Sequence, residues 1–232
     1  MNARDRLVVA LDVATPEEAS VLVERLAGLA GMFKVGSQLF TAGGPDLVRG
    51  LVARGEKIFL DLKYHDIPHT VAGAVSAACR LGVSLVDVHA LGGKAMMEAA
   101  VGAMPAMGTR LLAITVLTSH DAASFGDLGL AGDVAETVRR LARLAYAAEV
   151  DGVVASPQEV PIIREACGKD FLVVTPGIRP AGARTGDQAR AATPAAALQA
   201  GADLLVVGRP IIEAADPAAA ARAILREMEG AA

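Results

Sequence analysis

The sequence predicts a single (β/α)8 barrel over residues 1–232, in which eight parallel strands alternate with helices around one closed sheet. Short apolar runs recur along the chain, and stretches rich in alanine, leucine, arginine and glutamate with helical spacing separate them. Nearly all-apolar runs are typical of parallel strands that are covered on both faces. An open, doubly wound sheet is the alternative, but the glycine fingerprint GxGxxG is missing after the first strand.

Eight predicted strands follow one another with room for a helix in each gap. They are Leu7–Asp12, Phe33–Gly36, Lys57–Lys63, Leu85–His89, Leu111–Leu117, Gly152–Ala155, Phe171–Thr175 and Leu204–Gly208. No linker, fixed-period repeat or low-complexity segment interrupts this pattern. Because α/β barrels commonly reach about 250 residues as one domain, the chain is long enough for a single core.

Capping residues mark where the predicted helices begin and end. Thr15 before Pro16 reads as an N-cap with proline at the first helical position and two acids in the first turn. Asp216 before Pro217 marks the start of a closing helix in the alanine-rich segment Ala214–Ala223. Glycines stand where the helices are expected to stop, at Gly31, Gly55, Gly82, Gly168 and Gly201.

Composition excludes several classes of protein. Hydrophobic residues make up 53% of the chain, and 22 basic against 26 acidic residues give a net charge of −4. These values argue against disorder, a nucleic-acid partner or an anionic membrane partner. No run reaches the roughly 18 apolar residues of a membrane span, and Leu7–Leu11 is too short for a signal peptide. Cys79 and Cys167 fit no metal or redox motif, so we expect a cytoplasmic protein.

Polar residues stand at the carboxyl ends of most predicted strands, where barrel enzymes carry their chemistry. These residues are Asp12, Lys34, Asp61, Lys63, His89, Thr118, Arg179 and Arg209. Any one of them alone is better explained as a solvated loop residue. Their repetition at the same end of nearly every strand predicts an active site there.

The densest group of charges lies on the third predicted strand. Asp61 and Lys63 are two residues apart, so both side chains point to one face, about 6.5 Å apart along the chain. An acid and a base inside a barrel are costly unless they are paired, and Lys34 on the neighbouring strand supplies a further partner. The sequence therefore predicts a row of alternating charge; a purely structural salt-bridge cluster is the alternative.

A phosphate site is predicted after the seventh and eighth strands, where such sites recur in this fold. The segment Thr175–Pro180 opens a glycine-containing loop that reaches Gln188, and the eighth strand ends in Gly208-Arg209-Pro210. Backbone N–H groups of that turn, an arginine and Gln188 would form an anion site. No metal site is expected, because Pro68 separates His65 from His69 and prevents one helical face from presenting both.

These motifs together resemble the bacterial orotidine 5′-phosphate decarboxylase family. The resemblance rests on Asp61-x-Lys63-x-x-Asp66-Ile-Pro, on Lys34 in Phe-Lys-Val-Gly, and on the segments Pro-Gly-Ile-Arg-Pro and Val-Gly-Arg-Pro. It extends over almost the whole chain. Two departures, His69 where many members have asparagine and Arg184 in a variable loop, touch no residue assigned to chemistry.

The resemblance implies an enzyme without cofactor or metal that converts orotidine 5′-phosphate to uridine 5′-phosphate and carbon dioxide, the last step of de novo UMP synthesis. It implies that Lys63 donates a proton to C6 of the pyrimidine, flanked by Asp61 and Asp66. The further roles it implies are the ribose side for Asp12 and Lys34, the pyrimidine for Thr118, and the phosphate for Arg179, Gln188, Gly208 and Arg209. It also implies a homodimer with shared sites, in which Asp66 and Thr70 reach into the partner's site.

Two other functions remain as alternatives. The first is a magnesium-dependent keto-sugar-phosphate decarboxylase or aldolase of the same superfamily, which shares the DxKxxD motif. Such enzymes resemble this chain but hold the metal with an acid on the second strand, where this sequence has Lys34. The second is a phosphate-binding barrel that isomerises or only binds nucleotides, which would have no need for Lys63 between two acids.

Overall fold

The computed structural model of the protein describes residues 2–105, 108–120, 122–127, 133–180 and 191–230. Within these residues, eight parallel strands close into a barrel in which each strand pairs with its neighbours in sequence and the last pairs with the first. The strands are β1 (Leu7–Ala10), β2 (Met32–Gly36), β3 (Ile58–Tyr64), β4 (Leu85–His89), β5 (Arg110–Ile114), β6 (Gly152–Val154), β7 (Leu172–Thr175) and β8 (Leu204–Val207). The (β/α)8 barrel predicted from the sequence is confirmed.

Helices occupy the gaps between the strands. They are α1 (Ala3–Arg6), α2 (Pro16–Arg25), α3 (Ser37–Ala53, broken at Gly44), α4 (Pro68–Cys79), α5 (Gly93–Gly102), α6 (Ala122–Asp127), α7 (Val134–Ala147), α8 (Val160–Cys167), α9 (Pro194–Gln199), α10 (Arg209–Ile212) and α11 (Pro217–Glu229). Short 3-10 helices follow β4 and β6, at Ala90–Gly92 and Pro157–Glu159. No helix of the described residues is both long and apolar enough to cross a membrane.

Most of the predicted helix ends are observed. Thr15 caps α2 with a full capping box, in which its side chain accepts from the Glu18 N–H and Glu18 reaches back to the N-cap backbone. Asp216 accepts two backbone N–H groups at the start of α11. The predicted stops at Gly55, Gly82, Gly168 and Gly201 all have positive φ.

The role predicted for Gly31 is wrong. Helix α2 already ends at Arg25, and the turn with positive φ falls at Gly28. Gly31 instead stands where the backbone of α1 crosses the entry to β2, because a Cβ there would lie 2.4 Å from the Arg4 carbonyl oxygen. A close approach of two backbones, and not a helix stop, requires glycine at this position.

Four strands end earlier than predicted: β6 and β8 by one residue each, β1 by two and β5 by three. β1 ends at Ala10, although the Leu11 N–H still donates to the Lys34 carbonyl at 2.9 Å. β5 ends at Ile114, and after the Thr115 N–H has donated to the Val154 carbonyl the chain turns outward. The backbone leaves the ladder at the carboxyl ends of these strands, where apolar residues of the sequence continue into the loops.

The core has two concentric layers. One lies between the sheet and the helices, and the other fills the inside of the barrel. Phe59, Leu85 and Leu112 are among the large side chains of the inner layer. One layer further toward the carboxyl ends of the strands, charged residues replace apolar ones on β2, β3 and β4. The barrel interior is therefore apolar in its middle layer and charged toward the carboxyl ends of β2, β3 and β4.

Polar groups at the amino ends of the strands serve to hold the barrel together. Asp203 accepts the Val173 N–H at 2.7 Å and pairs with Arg164 at 2.6 Å, which ties β7, β8 and α8 to one another. Asp151 accepts the Leu111 N–H at 2.7 Å in the same way between β5 and β6. In this fold the amino ends of the strands serve stability, and binding sites form at the opposite ends.

Two glycine substitutions are expected to change stability in opposite directions. In Gly152→Ala the new Cβ would lie 2.2 Å from the Leu172 carbonyl oxygen, so strands β6 and β7 must separate. We expect a loss of roughly 1–3 kcal/mol in the free energy of unfolding. In Gly50→Ala the Cβ meets no atom within 4 Å inside α3, and we expect a gain of about 0.5–1 kcal/mol.

Denaturant unfolding of both variants and the parent protein measures these changes. A Gly152→Ala protein as stable as the parent would contradict the strand spacing described here, and Gly50→Ala controls for the general effect of alanine.

Candidate active site

A cavity of about 340 Å³ opens at the carboxyl ends of the strands. Its lining comes from β1, β2, β3, β5, β6 and β8 and from the segments that follow β1, β5, β6, β7 and β8. Among the predicted site residues it includes Asp12, Lys34, Asp61, Lys63, Thr118, Arg179, Gly208 and Arg209. The structure thus brings together residues that lie almost 200 positions apart in the sequence.

The predicted row of alternating charge exists at one side of this cavity. Lys34 Nζ lies 3.0 Å from Asp61 Oδ2 and 3.2 Å from Asp12 Oδ1, and Lys63 Nζ pairs with Asp61 Oδ1. The side chains of Lys34 and Asp61 are only 11% and 10% exposed, while that of Lys63 is 37% exposed. Asp61 is therefore the buried centre of the row, and Lys63 is its end toward the cavity.

Burial and ion pairing act in opposite directions on this row. Burial alone would raise the pKa of Asp61, but the Lys34 ammonium, the neighbouring Asp87 and Lys63 together hold that pKa well below its usual range. Burial would likewise lower the pKa of Lys34, yet Asp61 and Asp12 raise it. Asp61 is ionised and Lys34 is protonated at neutral pH.

The backbone at Lys63 has an unusual conformation. Its φ is 52°, in the left-handed region that non-glycine residues seldom adopt, and the pairing of β3 with β4 shifts register between Leu60 and Tyr64. The Lys63 N–H donates to Asp87 Oδ1 at 2.8 Å. Such a backbone persists only where the surroundings hold it, and strained positions of this kind gather at functional sites.

Sequence reasoning missed Asp87. It lies in the middle of β4, it is fully buried, and it stands beside Asp61 and the Lys63 backbone. The available signal was a single acid inside an otherwise apolar strand, Leu-Val-Asp-Val-His. Only the pairing of β3 with β4 shows which residues that acid faces.

The rest of the cavity differs from the charged side. Ile114, Val154 and Val206 contribute an apolar part of the lining from β5, β6 and β8. Arg179 and Arg209, from the segments after β7 and β8, bring two guanidinium groups to the same rim as Gly208. The cavity can therefore receive a ring between charged and apolar walls and an anion at the arginines.

Asp66 and Thr70, two residues expected at the site, do not line the cavity. Asp66 and Thr70 lie in an exposed segment between β3 and the first turn of α4, where Asp66 Oδ1 accepts the Ile67 N–H at 2.6 Å. Gln188 lies outside the described residues, as does the loop around it. The role of Asp66 and Thr70 at a shared site stays a prediction.

The histidines near the cavity pack on one another. His65 and His89 stack with their ring centroids 5.4 Å apart, and His89 Nδ1 accepts the Leu91 N–H at 3.3 Å. Burial, with the neighbouring His65 and Lys63, lowers the pKa of His89 to about 4, so its ring is neutral. Among the described residues, no three His, Cys, Asp or Glu side chains gather as a metal site.

The fold and the cavity define a (β/α)8-barrel enzyme with a charged active site at the carboxyl ends of its strands. The chain belongs to the orotidine 5′-phosphate decarboxylase / HUMPS family, whose model matches residues 5–224.

Relatives of this family match along nearly their whole length. An orotidine 5′-phosphate decarboxylase from Halorhodospira halophila is 58% identical over 97% of this chain and 97% of the relative. One from Moorella thermoacetica is 53% identical over 99% of this chain and 94% of the relative. The crystal structure of orotidine 5′-phosphate decarboxylase from Lactobacillus acidophilus is 40% identical, with a TM-score of 0.84 and coverage of 96% and 98% of the two chains.

Removal of Lys34 is expected to destabilise the protein more than removal of Lys63. Lys34→Met leaves a buried carboxylate with one partner, and we expect a loss of the order of 3 kcal/mol at neutral pH. Lys63→Met is the matched control, and its loss should be smaller because Lys63 is the more exposed lysine. Thermal unfolding at pH 7 compares the two.

Lowering the pH should reduce the difference in the free energy of unfolding between Lys34→Met and the parent protein. Because the pKa of Asp61 is lowered in the folded protein, its ionised form adds stability above the unfolded-state pKa of about 4, and this is lost as the pH falls further. Lys34→Met lacks the ammonium that lowers the pKa of Asp61, so it loses less stability as the pH falls. A difference that stays constant from pH 6 to pH 3 would contradict the ionised state of Asp61.

Proposed function

We propose that this protein decarboxylates orotidine 5′-phosphate to uridine 5′-phosphate and carbon dioxide, the last step of de novo UMP synthesis, in the cytoplasm. The observation that carries the proposal is the Lys63 ammonium, which ends a row of buried charge in the cavity of a chain that matches this family over nearly its full length. Two free cysteines, Cys79 and Cys167, fit a reducing compartment.

Lys63 supplies both charge and a proton to the reaction. When the bond between C6 and the carboxylate breaks, its electron pair stays on C6, where the ring offers little delocalisation. The Lys63 ammonium stabilises this carbanion and then transfers a proton to C6. The neutral amine that remains recovers its proton from solvent, which reaches the 37% exposed side chain.

Asp61 acts on the other side of the same step. It forms an ion pair with Lys63 and is itself kept ionised by Lys34. Placed beside the substrate carboxylate, it repels a group that becomes neutral as carbon dioxide leaves, so the repulsion falls along the reaction. The chemistry of the step therefore depends on the whole row and not on Lys63 alone.

The remaining residues bind the substrate. Arg179 and Arg209 at the rim take the phosphate together with Gly208 and Gln188, and Thr118 contacts the pyrimidine. Asp12 and Lys34 contact the ribose. Phosphate binding at a distance from C6 supplies energy that stabilises the transition state at the ring.

The donor set favours catalysis without a metal or cofactor. The two acids of the row, Asp12 and Asp61, are bridged by the Lys34 ammonium at 3.2 and 3.0 Å, which is the place a divalent cation would need between them. A magnesium-dependent keto-sugar-phosphate enzyme requires an acid at the position of Lys34. This alternative is accordingly not favoured.

Removing metals should leave the activity unchanged. Purified protein dialysed against EDTA is expected to convert orotidine 5′-phosphate at the same kcat and KM as untreated protein, measured by the change in ultraviolet absorbance. Addition of magnesium to the treated protein is the control. Activity that disappears with EDTA and returns with magnesium would refute the proposal and favour the keto-sugar-phosphate alternative.

The active form is proposed to be a homodimer with shared sites. Asp66 and Thr70 are exposed in one chain, and Ile67 between them is 66% exposed, which is unusual for a large apolar side chain beside an active site. Leu91, also exposed, lies on the neighbouring segment after β4. A second chain that covers this surface would bring these residues to the partner's cavity.

Mixing two inactive variants should restore activity if the site is shared. In a heterodimer of Lys63→Ala and Asp66→Ala, one site carries both changes and the other carries neither. Equimolar mixing with free exchange is expected to give about a quarter of the wild-type specific activity.

A matched control uses the double variant. Mixing Lys63→Ala with Lys63→Ala/Asp66→Ala leaves no site with Lys63 and should give no recovery. If exchange is confirmed by mass spectrometry of differently tagged chains and the first mixture is still inactive, Asp66 does not act across a dimer.

A further inference from the structure

Asp87 is a buried acid to which the proposed reaction gives no role. It is fully buried on β4, and β4 contributes no lining residue to the cavity among those the structure describes. Oδ1 accepts the Lys63 N–H at 2.8 Å. Asp87 therefore contacts the site from outside the cavity, through the backbone N–H of Lys63.

The second oxygen of Asp87 has an unusual environment. Oδ2 is buried and accepts no hydrogen bond from the described residues, while the Asp61 carboxylate is its neighbour. Two neighbouring buried carboxylates cannot both be ionised at low cost. Asp61 already has two lysine partners, so the proton belongs on Asp87.

The electrostatics of the site agree with this geometry. Burial, followed by the charge of Asp61, raises the pKa of Asp87 well above its usual range. The Lys63 ammonium acts in the opposite direction but is the smaller effect. A protonated Asp87 can donate to Asp61 and accept from Lys63 N–H at the same time.

We propose that Asp87 is a positioning residue for Lys63: as an uncharged acid it holds the Lys63 backbone through Oδ1 and hydrogen-bonds Asp61 through the proton on Oδ2. The part of this proposal that concerns catalysis by Lys63 rests on the proposed function. The hydrogen bond from the Lys63 N–H offsets the strain of φ 52° and fixes the direction in which the side chain leaves β3. An ionised Asp87 would instead compete with Asp61 for the Lys63 ammonium.

Two substitutions separate position from charge. Asp87→Asn keeps the shape, an acceptor for the Lys63 N–H and a donor toward Asp61, and it should retain kcat to within a few-fold. Asp87→Val, which matches the valines on either side of it, removes both contacts. We expect kcat to fall roughly 10- to 100-fold while KM changes little, because a misplaced reacting group affects the chemical step.

These kinetics can overturn the proposal in two ways. An Asp87→Asn protein as impaired as Asp87→Val would show that a negative charge is required at this position. Equal activity of Asp87→Val and wild type would show that Lys63 needs no support from β4. Circular dichroism and binding of uridine 5′-phosphate establish that each variant is folded.

A stability measurement tests the protonation without depending on activity. An aspartate in the unfolded chain ionises near pH 4, whereas the folded protein keeps Asp87 protonated. As the pH rises above about 4, the folding equilibrium constant of the wild type should therefore fall relative to that of Asp87→Asn, by up to tenfold per pH unit. The fall stops where the pH reaches the pKa of Asp87 in the folded protein.

Denaturant unfolding of the wild type and Asp87→Asn from pH 4 to pH 7 gives this ratio. A ratio that is constant or changes in the opposite direction means an ionised Asp87 and overturns the proposal. This measurement uses no substrate. A wild type that fails to act on orotidine 5′-phosphate would therefore refute the proposed function, while the unfolding data would still show whether Asp87 is protonated.

Discussion

The site depends on one constraint: a carboxylate, Asp61, is buried inside the barrel and must be neutralised there. A charge at that depth is tolerated only with partners in good geometry, and two lysine ammonium groups provide them. The glycine at the end of β2 leaves room for the ion pair of Lys34 with Asp12, because a Cβ at Gly36 would lie 3.1 Å from Lys34 Nζ and 3.6 Å from Asp12 Oδ1. Replacement of Gly36 would thus push directly on the first ion pair of the row.

The two ends of the barrel use polar groups for different purposes. At the amino ends, Asp151 and Asp203 accept backbone N–H groups of neighbouring strands and join the sheet. At the carboxyl ends, the acids face lysines that also border the cavity. The same side-chain type stabilises the barrel at one end and sets the charge of an active site at the other, where the cavity opens.

The sequence allowed the fold and most of the site to be predicted, since buried parallel strands are apolar and charges stood out at their ends. What it could not supply depends on contacts between strands. Asp87 became significant only through the pairing of β3 with β4, and the strained backbone of Lys63 arises from a register shift that no local pattern marks. Gly31 was misread because its reason, the crossing of α1, is distant in sequence. Asp66, expected at a shared site, is exposed in this chain and does not line the cavity.

The site is defined by where its protons lie: Lys34 and Lys63 are charged, Asp61 is ionised and Asp87 is neutral. Neutron diffraction from a crystal exchanged into heavy water locates these protons directly. We expect three deuterons on Nζ of each lysine, none on Asp61, and one on Asp87 Oδ2 directed toward Asp61. A deuteron on Asp61, or an Asp87 that carries none, would contradict this assignment.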